Sequence, residues 1–289
     1  MDGTPLRTVL FVPGNDRRKL DKAFGLAAST VVLDLEDAVA SSEKAAARAI
    51  VRESVLALPD DAMPVGVRIN SLESGLADAD LDALAEALPR IATIVVPMVE
   101  TADEVRHVAS RLDELGSEAV QLIAVTETAR GILAAREIAA SSPRLRTLLF
   151  GPADLARELG VELTADGFEH LHARSAVVLA ARAAGKEGPI DGPYLNLADD
   201  DGCALSASWS RRLGFQGKLV LHPRQLPIVT AAFAPSEREL AWAREVDRAF
   251  REAEAAGVSS IQLADGTFVD YPVAERARDL LRDAILPEA

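Results

Sequence analysis

The sequence of 289 residues is poor in cysteine and aromatic residues, and it contains no long apolar run. Its single cysteine, Cys203, excludes an internal disulfide and a thiolate cage for a metal ion. No apolar run approaches the ~20 residues of a membrane-spanning helix, and no signal-peptide pattern opens the chain. We therefore expect a soluble, cytoplasmic protein with no membrane partner.

Positive charge is also scarce, with 31 Lys and Arg residues against 45 Asp and Glu residues and a net charge of −14. This balance argues against a nucleic-acid partner, because nucleic-acid binding needs a cationic face. It is compatible with an anionic small molecule held by a few local Arg and Lys residues. The apolar fraction of 49% is enough for a sizeable core and excludes a disordered chain.

Short apolar runs alternate with amphipathic stretches of helical length eight times along the chain. The runs are Thr8–Val12, Val31–Leu35, Val65–Ile69, Thr93–Pro97, Gln121–Val125, Thr147–Phe150, Pro189–Tyr194 and Lys218–Leu221. Most are apolar without strict alternation, which is typical of parallel strands buried on both faces. Eight such units predict an α/β fold, the (β/α)8 TIM barrel. The alternative is an open doubly wound sheet, but no G-x-G-x-x-G motif follows the first run.

The predicted barrel spans residues 1–234, and residues 235–289 form a C-terminal helical appendage. The appendage is expected to contain one long helix, an extended piece over Val258–Tyr271 and a final helix. It is too small for an independent domain, so we expect it to pack on the barrel or on a neighbouring subunit. Suitable N-caps for four helices are Asn15, Ser41, Thr101 and Asp199.

Two carboxylates follow neighbouring strands of the predicted barrel. Glu127 and Asp154 lie at or just past the ends of the fifth and sixth runs, and adjacent strands are ~4.8 Å apart. Carboxylates this close repel each other unless a cation lies between them. Oxygen ligands with water in the remaining positions suit Mg²⁺ or Mn²⁺. The alternative is that each carboxylate simply caps or begins a helix.

Acidic residues also crowd the end of the second run. Glu36 and Asp37 are expected to hold metal-bound water or to orient an arginine, while Asp34 begins the turn. The alternative is a helix N-terminal cluster favoured by the macrodipole. Arg68 ends the apolar third run, so its charge should be paired, either with Glu36 or Asp37 or with a substrate carboxylate.

The helix after the second run carries two basic residues on one face. Lys44 and Arg48 are four residues apart and belong to a locally basic N-terminal quarter of an acidic protein. A ligand rich in phosphate would explain this concentration, and a solvated helix surface is the alternative.

Seven motifs follow one another in the order typical of one enzyme family. They are residues 7–15 (RTVLFVPGN), 33–39 (LDLEDAV), 44–48 (K-x-x-x-R), 67–70 (VRIN), 126–131 (TETARG), 150–155 (FGPADL) and 213–225 (LGF-x-GK-x-x-x-HP-x-Q). The chain resembles citrate lyase beta-subunit-like proteins, the group that includes malyl-CoA and citramalyl-CoA lyases. The resemblance covers nearly the full length. Residues 265–272 (DGTFVDYP) resemble the family's C-terminal segment.

The resemblance implies a role for each candidate residue of the barrel. Glu127 and Asp154 would bind Mg²⁺, and Arg68 would hold the carboxylate of a 2-oxo acid. The backbone amides of the segment formed by Gly151, Pro152, Ala153 and Asp154 would help to bind the same carboxylate. The chain departs from the family at Met98, where many relatives carry lysine, and in the loop of residues 15–18, where the commoner form is Arg-Pro.

The resemblance also implies contacts with CoA and with a neighbouring subunit. Lys44 and Arg48 would approach the CoA phosphates. Asp270 would be the catalytic acid/base, supplied in trans to a neighbouring subunit. This arrangement needs an oligomer, expected to be a homotrimer or hexamer.

The expected function is a Mg²⁺-dependent carbon–carbon lyase that cleaves or forms a 3-hydroxyacyl-CoA thioester, with acetyl-CoA and a 2-oxo acid on the other side of the reaction. The nearest alternative is a citrate lyase beta subunit acting on a citryl thioester of an acyl-carrier protein. A pyruvate-type class II aldolase is a further alternative, but it needs a histidine soon after the first or second strand, and the first here is His107. A catalytically idle binding barrel is the alternative from outside the enzymes.

Overall fold

A closed barrel of eight parallel strands occupies most of the chain. The strands are β1 (Thr8–Pro13), β2 (Thr30–Asp34), β3 (Val65–Arg68), β4 (Thr93–Val96), β5 (Gln121–Thr126), β6 (Leu145–Phe150), β7 (Ile190–Asp191) and β8 (Gly217–Val220). Closure comes from β1, which pairs with β2 at Val9–Thr30 and with β8 at Thr8–Lys218. The (β/α)8 prediction is therefore confirmed, and the open doubly wound sheet is excluded.

The computed structural model describes residues 5–284. Contacts between Cα atoms divide the chain into two units, Met1–Phe233 and Ala234–Ala289. The outer ends of the two predicted domains, residues 1–4 and 285–289, lie outside the described residues.

Ten α-helices of the described part of the first unit follow or connect the strands. They are α1 (Arg17–Ala23), α2 (Lys44–Leu56), α3 (Ala77–Leu84), α4 (Ala102–Glu114), α5 (Ala129–Leu133), α6 (Ala135–Ala139), α7 (Pro152–Leu159), α8 (Leu171–Ala183), α9 (Asp200–Leu213) and α10 (Gln225–Phe233). Short 3₁₀ segments cover Ser41–Glu43, Ala85–Arg90 and Phe168–His170. Across residues 5–284, none of the helices is both long and apolar enough to span a bilayer.

The strands are apolar on both faces because both faces are buried. Along β1, Val9 and Phe11 belong to a cluster inside the barrel, whereas Leu10 and Val12 pack in the larger core that includes the helices. Burial of one such side chain stabilises the fold by about 1.5–3 kcal/mol. The fold therefore needs continuous apolar strands, which is the pattern in the sequence.

Two of the four residues expected to be N-caps are N-caps in the structure, and two are not. Thr101 forms a capping box with Glu104 at the start of α4, and the Asp199 side chain accepts from the N–H of Gly202 at the start of α9. At α1 the cap is Asp16 rather than Asn15. Ser41 begins a 3₁₀ turn instead of capping α2, because the helix starts three residues later.

The second unit contains two helices and a small hairpin. Its elements are α11 (Glu237–Ala255), β9 (Ile261–Gln262), β10 (Phe268–Val269) and α12 (Tyr271–Asp283), with β9 and β10 antiparallel. Phe250 is fully buried in the apolar core of this unit and meets the Tyr271 ring edge-on, with the centroids 5.1 Å apart. The expectation that this segment packs on the barrel or on a neighbouring subunit stays a prediction.

Candidate active site

A cavity of about 380 Å³ opens at the carboxyl ends of the barrel strands. Its charged lining side chains are Asp34, Asp37, Arg68, Glu127 and Asp154. Gly151, Pro152 and Ala153 also line the cavity, and its apolar lining includes Phe11, Val125 and Leu149. The fold thus brings most of the candidate barrel residues to one mouth, as expected where strand ends converge.

The guanidinium of Arg68 is held by Asp34, which lies opposite it in the register of β2 and β3. Nε of Arg68 donates to Oδ1 of Asp34 at 2.8 Å, and Nη2 donates to Oδ2 at 2.5 Å. Asp34 is only 1% exposed, and the guanidinium also stacks over the Phe11 ring at 5.1 Å. Asp34 also begins the turn, as expected, because its Oδ1 accepts from the N–H of Glu36 at 2.8 Å and its Oδ2 from the N–H of Ala38 at 3.3 Å. The same carboxylate fixes the orientation of the arginine, a second role that was not predicted.

Glu36 and Asp37 also face Arg68. Nη1 of the arginine lies 2.5 Å from Oε2 of Glu36 and 3.7 Å from Oδ2 of Asp37. Burial, together with the neighbouring carboxylates and against the opposing effect of Arg68, raises the pKa of Glu36 to about 8. Burial by itself would lower the pKa of Arg68, but its bonds to Asp34 and the nearby acids raise that pKa above its ordinary value. The site therefore favours the charged form of the arginine and disfavours ionisation of Glu36.

Glu127 is a buried carboxyl group with one fixed oxygen. It follows β5, is 7% exposed, and its Oε1 accepts a hydrogen bond of 2.8 Å from the backbone N–H of Met98. Burial raises the pKa of Glu127 to about 7, and repulsion from Asp154 contributes in the same direction. Such a group gains most from a cation, because ionisation in a buried site is costly without one.

Asp154 belongs to the first turn of α7, which starts directly after β6. Gly151 is the N-cap and Pro152 the first helical residue, a position where proline costs no hydrogen bond. A Cβ atom on Gly151 would collide with Cβ and Oε2 of Glu127, so only glycine lets the two segments approach this closely. Asp154 is partly exposed, and its Oδ1 accepts from Nη2 of Arg157 at 3.3 Å.

The donor set fits a hard divalent cation that is only partly held by protein. Within residues 5–284, three or more His, Cys, Asp or Glu side chains are nowhere grouped as a metal cage. Glu127 and Asp154 instead offer two carboxylates beside a cavity with room for water and substrate oxygens. Mg²⁺ keeps several waters and is often bound by one or two carboxylates plus substrate oxygens. The residues present therefore fit Mg²⁺ better than a closed structural metal site.

Lys44 and Arg48 do not line the cavity, and both have partners within the barrel unit. Nζ of Lys44 donates to the carbonyl oxygens of Leu35 at 2.8 Å and Glu36 at 2.7 Å, which ties α2 to the loop after β2. Nε of Arg48 donates to Oδ1 of the fully buried Asp80 at 2.6 Å. Their predicted contact with CoA phosphates stays a prediction.

Asp270 lies in the second unit, immediately before α12. It is the N-cap of that helix, and its Oδ1 accepts from the N–H of Val273 at 3.3 Å. The side chain is half-buried. Its predicted role in a neighbouring subunit's site stays a prediction.

Sequence reasoning missed two residues of this site, Asp34 as a partner of Arg68 and Met98 as a donor to Glu127. The first had a usable signal, because an acidic and a basic residue end two neighbouring strands. The second had none, because the contact is made by a backbone N–H that every residue except proline carries.

Comparison with known proteins identifies the family of the chain. Residues 7–223 match the HpcH/HpaI aldolase/citrate lyase family. The chain is 38% identical to a (3S)-malyl-CoA thioesterase of Cereibacter sphaeroides over 97% of this chain and 95% of the relative. It is 32% identical to the mitochondrial citramalyl-CoA lyase of Mus musculus over 96% and 85% of the two chains.

A solved structure is similar over almost the whole chain. The protein CitE of Mycobacterium tuberculosis, crystallised with magnesium, acetoacetate and coenzyme A, superposes with a TM-score of 0.81 at 34% identity and covers 98% of both chains. The protein described here therefore belongs to the HpcH/HpaI aldolase/citrate lyase family, which confirms both the family and the carbon–carbon lyase class expected from its motifs.

Proposed function

We propose that this protein is a Mg²⁺-dependent lyase that cleaves a 3-hydroxyacyl-CoA thioester to acetyl-CoA and a 2-oxo acid, or catalyses the reverse condensation. The observation that carries the proposal is the placement of Glu127 and Asp154 in one cavity with the fixed guanidinium of Arg68. The magnesium and coenzyme A found in the CitE crystal structure support the same ligands for this chain.

In this proposal, Glu127 and Asp154 hold the cation at the mouth of the barrel. Bound Mg²⁺ supplies Lewis-acid stabilisation for negative charge that develops on the keto oxygen of the 2-oxo acid. Met98 fixes one oxygen of Glu127 and leaves the other beside Gly151. The protein thus prepares the carboxylate before the ligand arrives, and such preorganisation favours catalysis.

Arg68 retains donors for the substrate carboxylate. A guanidinium carries five N–H groups, of which Asp34 engages two. Oε2 of Glu36 lies 2.5 Å from Nη1 but makes no hydrogen bond among the described residues. The three N–H groups that Asp34 does not engage are therefore the donors proposed for a ligand in the cavity. The backbone N–H groups at the start of α7 would help to bind the same substrate carboxylate.

Proton transfer is assigned to Asp270 of a neighbouring subunit in a homotrimer or hexamer. The cleavage step releases the enolate of acetyl-CoA, and a positioned acid of this kind contributes ~10²–10⁴-fold to the rate. The CoA phosphates would lie near Lys44, which has one N–H left after its two carbonyl bonds, and near Arg48.

The assay that tests the proposal supplies malyl-CoA, citramalyl-CoA and citryl-CoA separately to the purified chain, with MgCl₂ or with EDTA. We expect acetyl-CoA to form from at least one thioester, only with Mg²⁺, and not with Glu127→Gln. Glu118→Gln makes the same change on an exposed residue and should keep full activity. Acetyl-CoA production that is equal in EDTA would refute the metal site.

Thioester hydrolysis is the second candidate, supported by the 38% identity to a malyl-CoA thioesterase. The products separate the two reactions, since hydrolysis releases a free CoA thiol and the intact hydroxy acid, whereas the lyase releases acetyl-CoA and a 2-oxo acid. Turnover that requires a citryl thioester on an acyl-carrier protein would instead assign the chain as a citrate lyase beta subunit.

A further inference from the structure

A second cavity, of about 350 Å³, lies beside the active site and takes no part in the proposed reaction. Pro152 and Pro193 line both cavities and so form their common wall. The second cavity is outside the barrel, because its residues Asp191 and Lys218 alternate along β7 and β8 with Ile190 and Leu219, which face the barrel interior. Lys218 belongs to the Gly-Lys motif of β8, for which the active site offers no role.

Two buried cations share one carboxylate oxygen in the wall of this cavity. Oδ2 of Asp191 accepts from Nη2 of Arg174 and from Nζ of Lys218, both at 2.8 Å, and from Oγ of Ser210 at 2.5 Å. Arg174, Asp191 and Lys218 are each less than 5% exposed. Burial lowers the pKa of Lys218 against the opposing effect of Asp191, so an anion that approaches the cluster would favour the charged form of this lysine.

Two nitrogen atoms at the same wall lack partners among the described residues. Nε of Arg174 and Nε2 of His170 are buried without a hydrogen bond within residues 5–284. Burial lowers the pKa of His170, so its ring is neutral, and it packs edge-on against Phe150 with the centroids 5.5 Å apart. Buried polar groups are almost always satisfied, so this wall is one whose polar groups are incompletely paired within the described residues.

A second acidic residue limits the charge of that ligand. Glu169 also lines the cavity, but its carboxylate accepts from the backbone N–H of Thr164 at 3.0 Å and from the Thr164 hydroxyl. This carboxylate would repel a dianion. The remaining wall includes apolar surface from Leu163 and Pro152, which suits a short alkyl group.

We propose that this cavity binds a small organic monocarboxylate, with its carboxylate beside Arg174 and Lys218 and its alkyl part against Leu163 and Pro152. The ligand would place a carboxylate beside Arg174 and Lys218, which otherwise share the single carboxylate of Asp191. The guanidinium of Arg174 and the remaining N–H of Lys218 are the donors, since both residues line the cavity together with His170. Because Pro152 lines this cavity and begins α7, a ligand bound here would affect the first turn of the helix, which contains Asp154.

The experiment uses butyrate as the probe and the four histidines as reporters. In the full chain labelled with ¹⁵N-histidine, in EDTA and at constant ionic strength, butyrate should shift the ring signals of His170 with saturation. The signals of the other three histidines should not move. Arg174→Gln should weaken this binding at least tenfold, whereas Arg212→Gln removes an equal charge from an exposed position and should leave it unchanged.

Butanol, which lacks the charge, should cause no saturable shift of His170. Should Arg174→Gln fail to fold, Ala165→Trp narrows the cavity while every residue of the ion cluster is kept, and it should abolish the response. No His170 shift up to 100 mM butyrate, or an equal shift in a folded Arg174→Gln or Ala165→Trp variant, would overturn the proposal. The cluster would then be a structural ion network only.

Discussion

The backbone N–H of Met98 donates a 2.8 Å hydrogen bond to Oε1 of Glu127. Met98 has a φ of 54°, the one non-glycine residue among those described with a positive φ. A bulky side chain in the left-handed region is strained, and such strain persists only where the surrounding structure enforces it. The loop after β4 is therefore strained at Met98, and this strained conformation orients the carboxylate of Glu127, which follows β5.

This relationship predicts different effects of proline and glycine at position 98. Met98→Pro removes the N–H and forces a negative φ, so Mg²⁺ affinity should fall at least tenfold. Met98→Gly keeps the donor and tolerates the backbone angle, so the affinity should stay within about threefold of the parent. Calorimetric titration of each variant with MgCl₂ measures both effects. Equally tight binding by the proline variant would remove Met98 from the site.

Mg²⁺ binding should depend on pH near neutrality. Glu127 has a pKa of about 7 in the metal-free protein, and the cation binds only the ionised carboxylate. The apparent association constant should therefore be constant well above pH 7 and fall about tenfold for each pH unit well below it. Titrations from pH 5.5 to 8.5 in two buffers of different ionisation enthalpy should also show proton release. A flat profile with no proton release would contradict the assignment.

Glu127→Gln should stabilise the metal-free protein at pH 8. Folding raises the pKa of Glu127 from 4.5 to about 7, so its favourable contribution is complete below pH 4.5 and is lost as the pH rises through 7. Glutamine still accepts from Met98 without that penalty. We expect an increase of about 2–4 kcal/mol in the free energy of unfolding at pH 8. Urea unfolding in EDTA measures it, and a gain that persists in full at pH 4 would argue against ionisation as the cause.

Removal of charge from Asp34 should be costly because its partner stays buried. Breaking one side of a buried ion pair costs about 3–5 kcal/mol, so Asp34→Asn should destabilise the fold by this order. Asp21→Asn is the matched control, since the pair of Arg17 and Asp21 is about half exposed, and it should cost less than about 1 kcal/mol. Denaturant unfolding of both variants tests the contrast, and equal costs would show that Asp34 does not hold Arg68.

Asp270→Asn should abolish turnover without unfolding α12, because asparagine caps a helix as well as aspartate does. Mg²⁺ affinity should not change. If the site is shared between subunits, mixed oligomers of Asp270→Asn and Glu127→Gln chains should recover part of the activity that each lacks alone. No recovery after verified subunit exchange would place Asp270 outside a shared site, and a fully active monomer would do the same.

The pairing of Asp34 with Arg68 shows where the sequence-based reasoning stopped short. The argument that placed Glu127 beside Asp154, adjacent strand ends, applies equally to these two residues, which are in register across β2 and β3. Aspartate is common in turns for local reasons, and this one accepts from the N–H groups of Glu36 and Ala38 in its turn. The local role does not exclude the pairing with Arg68, which only the register reveals.

The boundaries of the strands also show what the sequence predicts and what only the structure reveals. The eight apolar runs each overlap a barrel strand, but the strand within the seventh run covers only Ile190–Asp191. Its first residue points into the barrel, and Asp191 turns outward to a buried ion cluster. A run judged by apolar content alone cannot reveal a buried aspartate whose partners come from α8, α9 and β8.

The order of apolar runs and amphipathic stretches, with acidic residues after particular strands, was sufficient to predict the barrel and the carboxylates at its mouth, because periodicity is local and parallel strands end together. The family followed from the resemblance of seven ordered motifs and not from periodicity. The tertiary structure alone decided which donor meets which acceptor: Met98 with Glu127, Asp34 with Arg68, and two cations with Asp191. Those contacts join segments far apart in the chain, and their geometry depends on register and backbone conformation that no local pattern encodes.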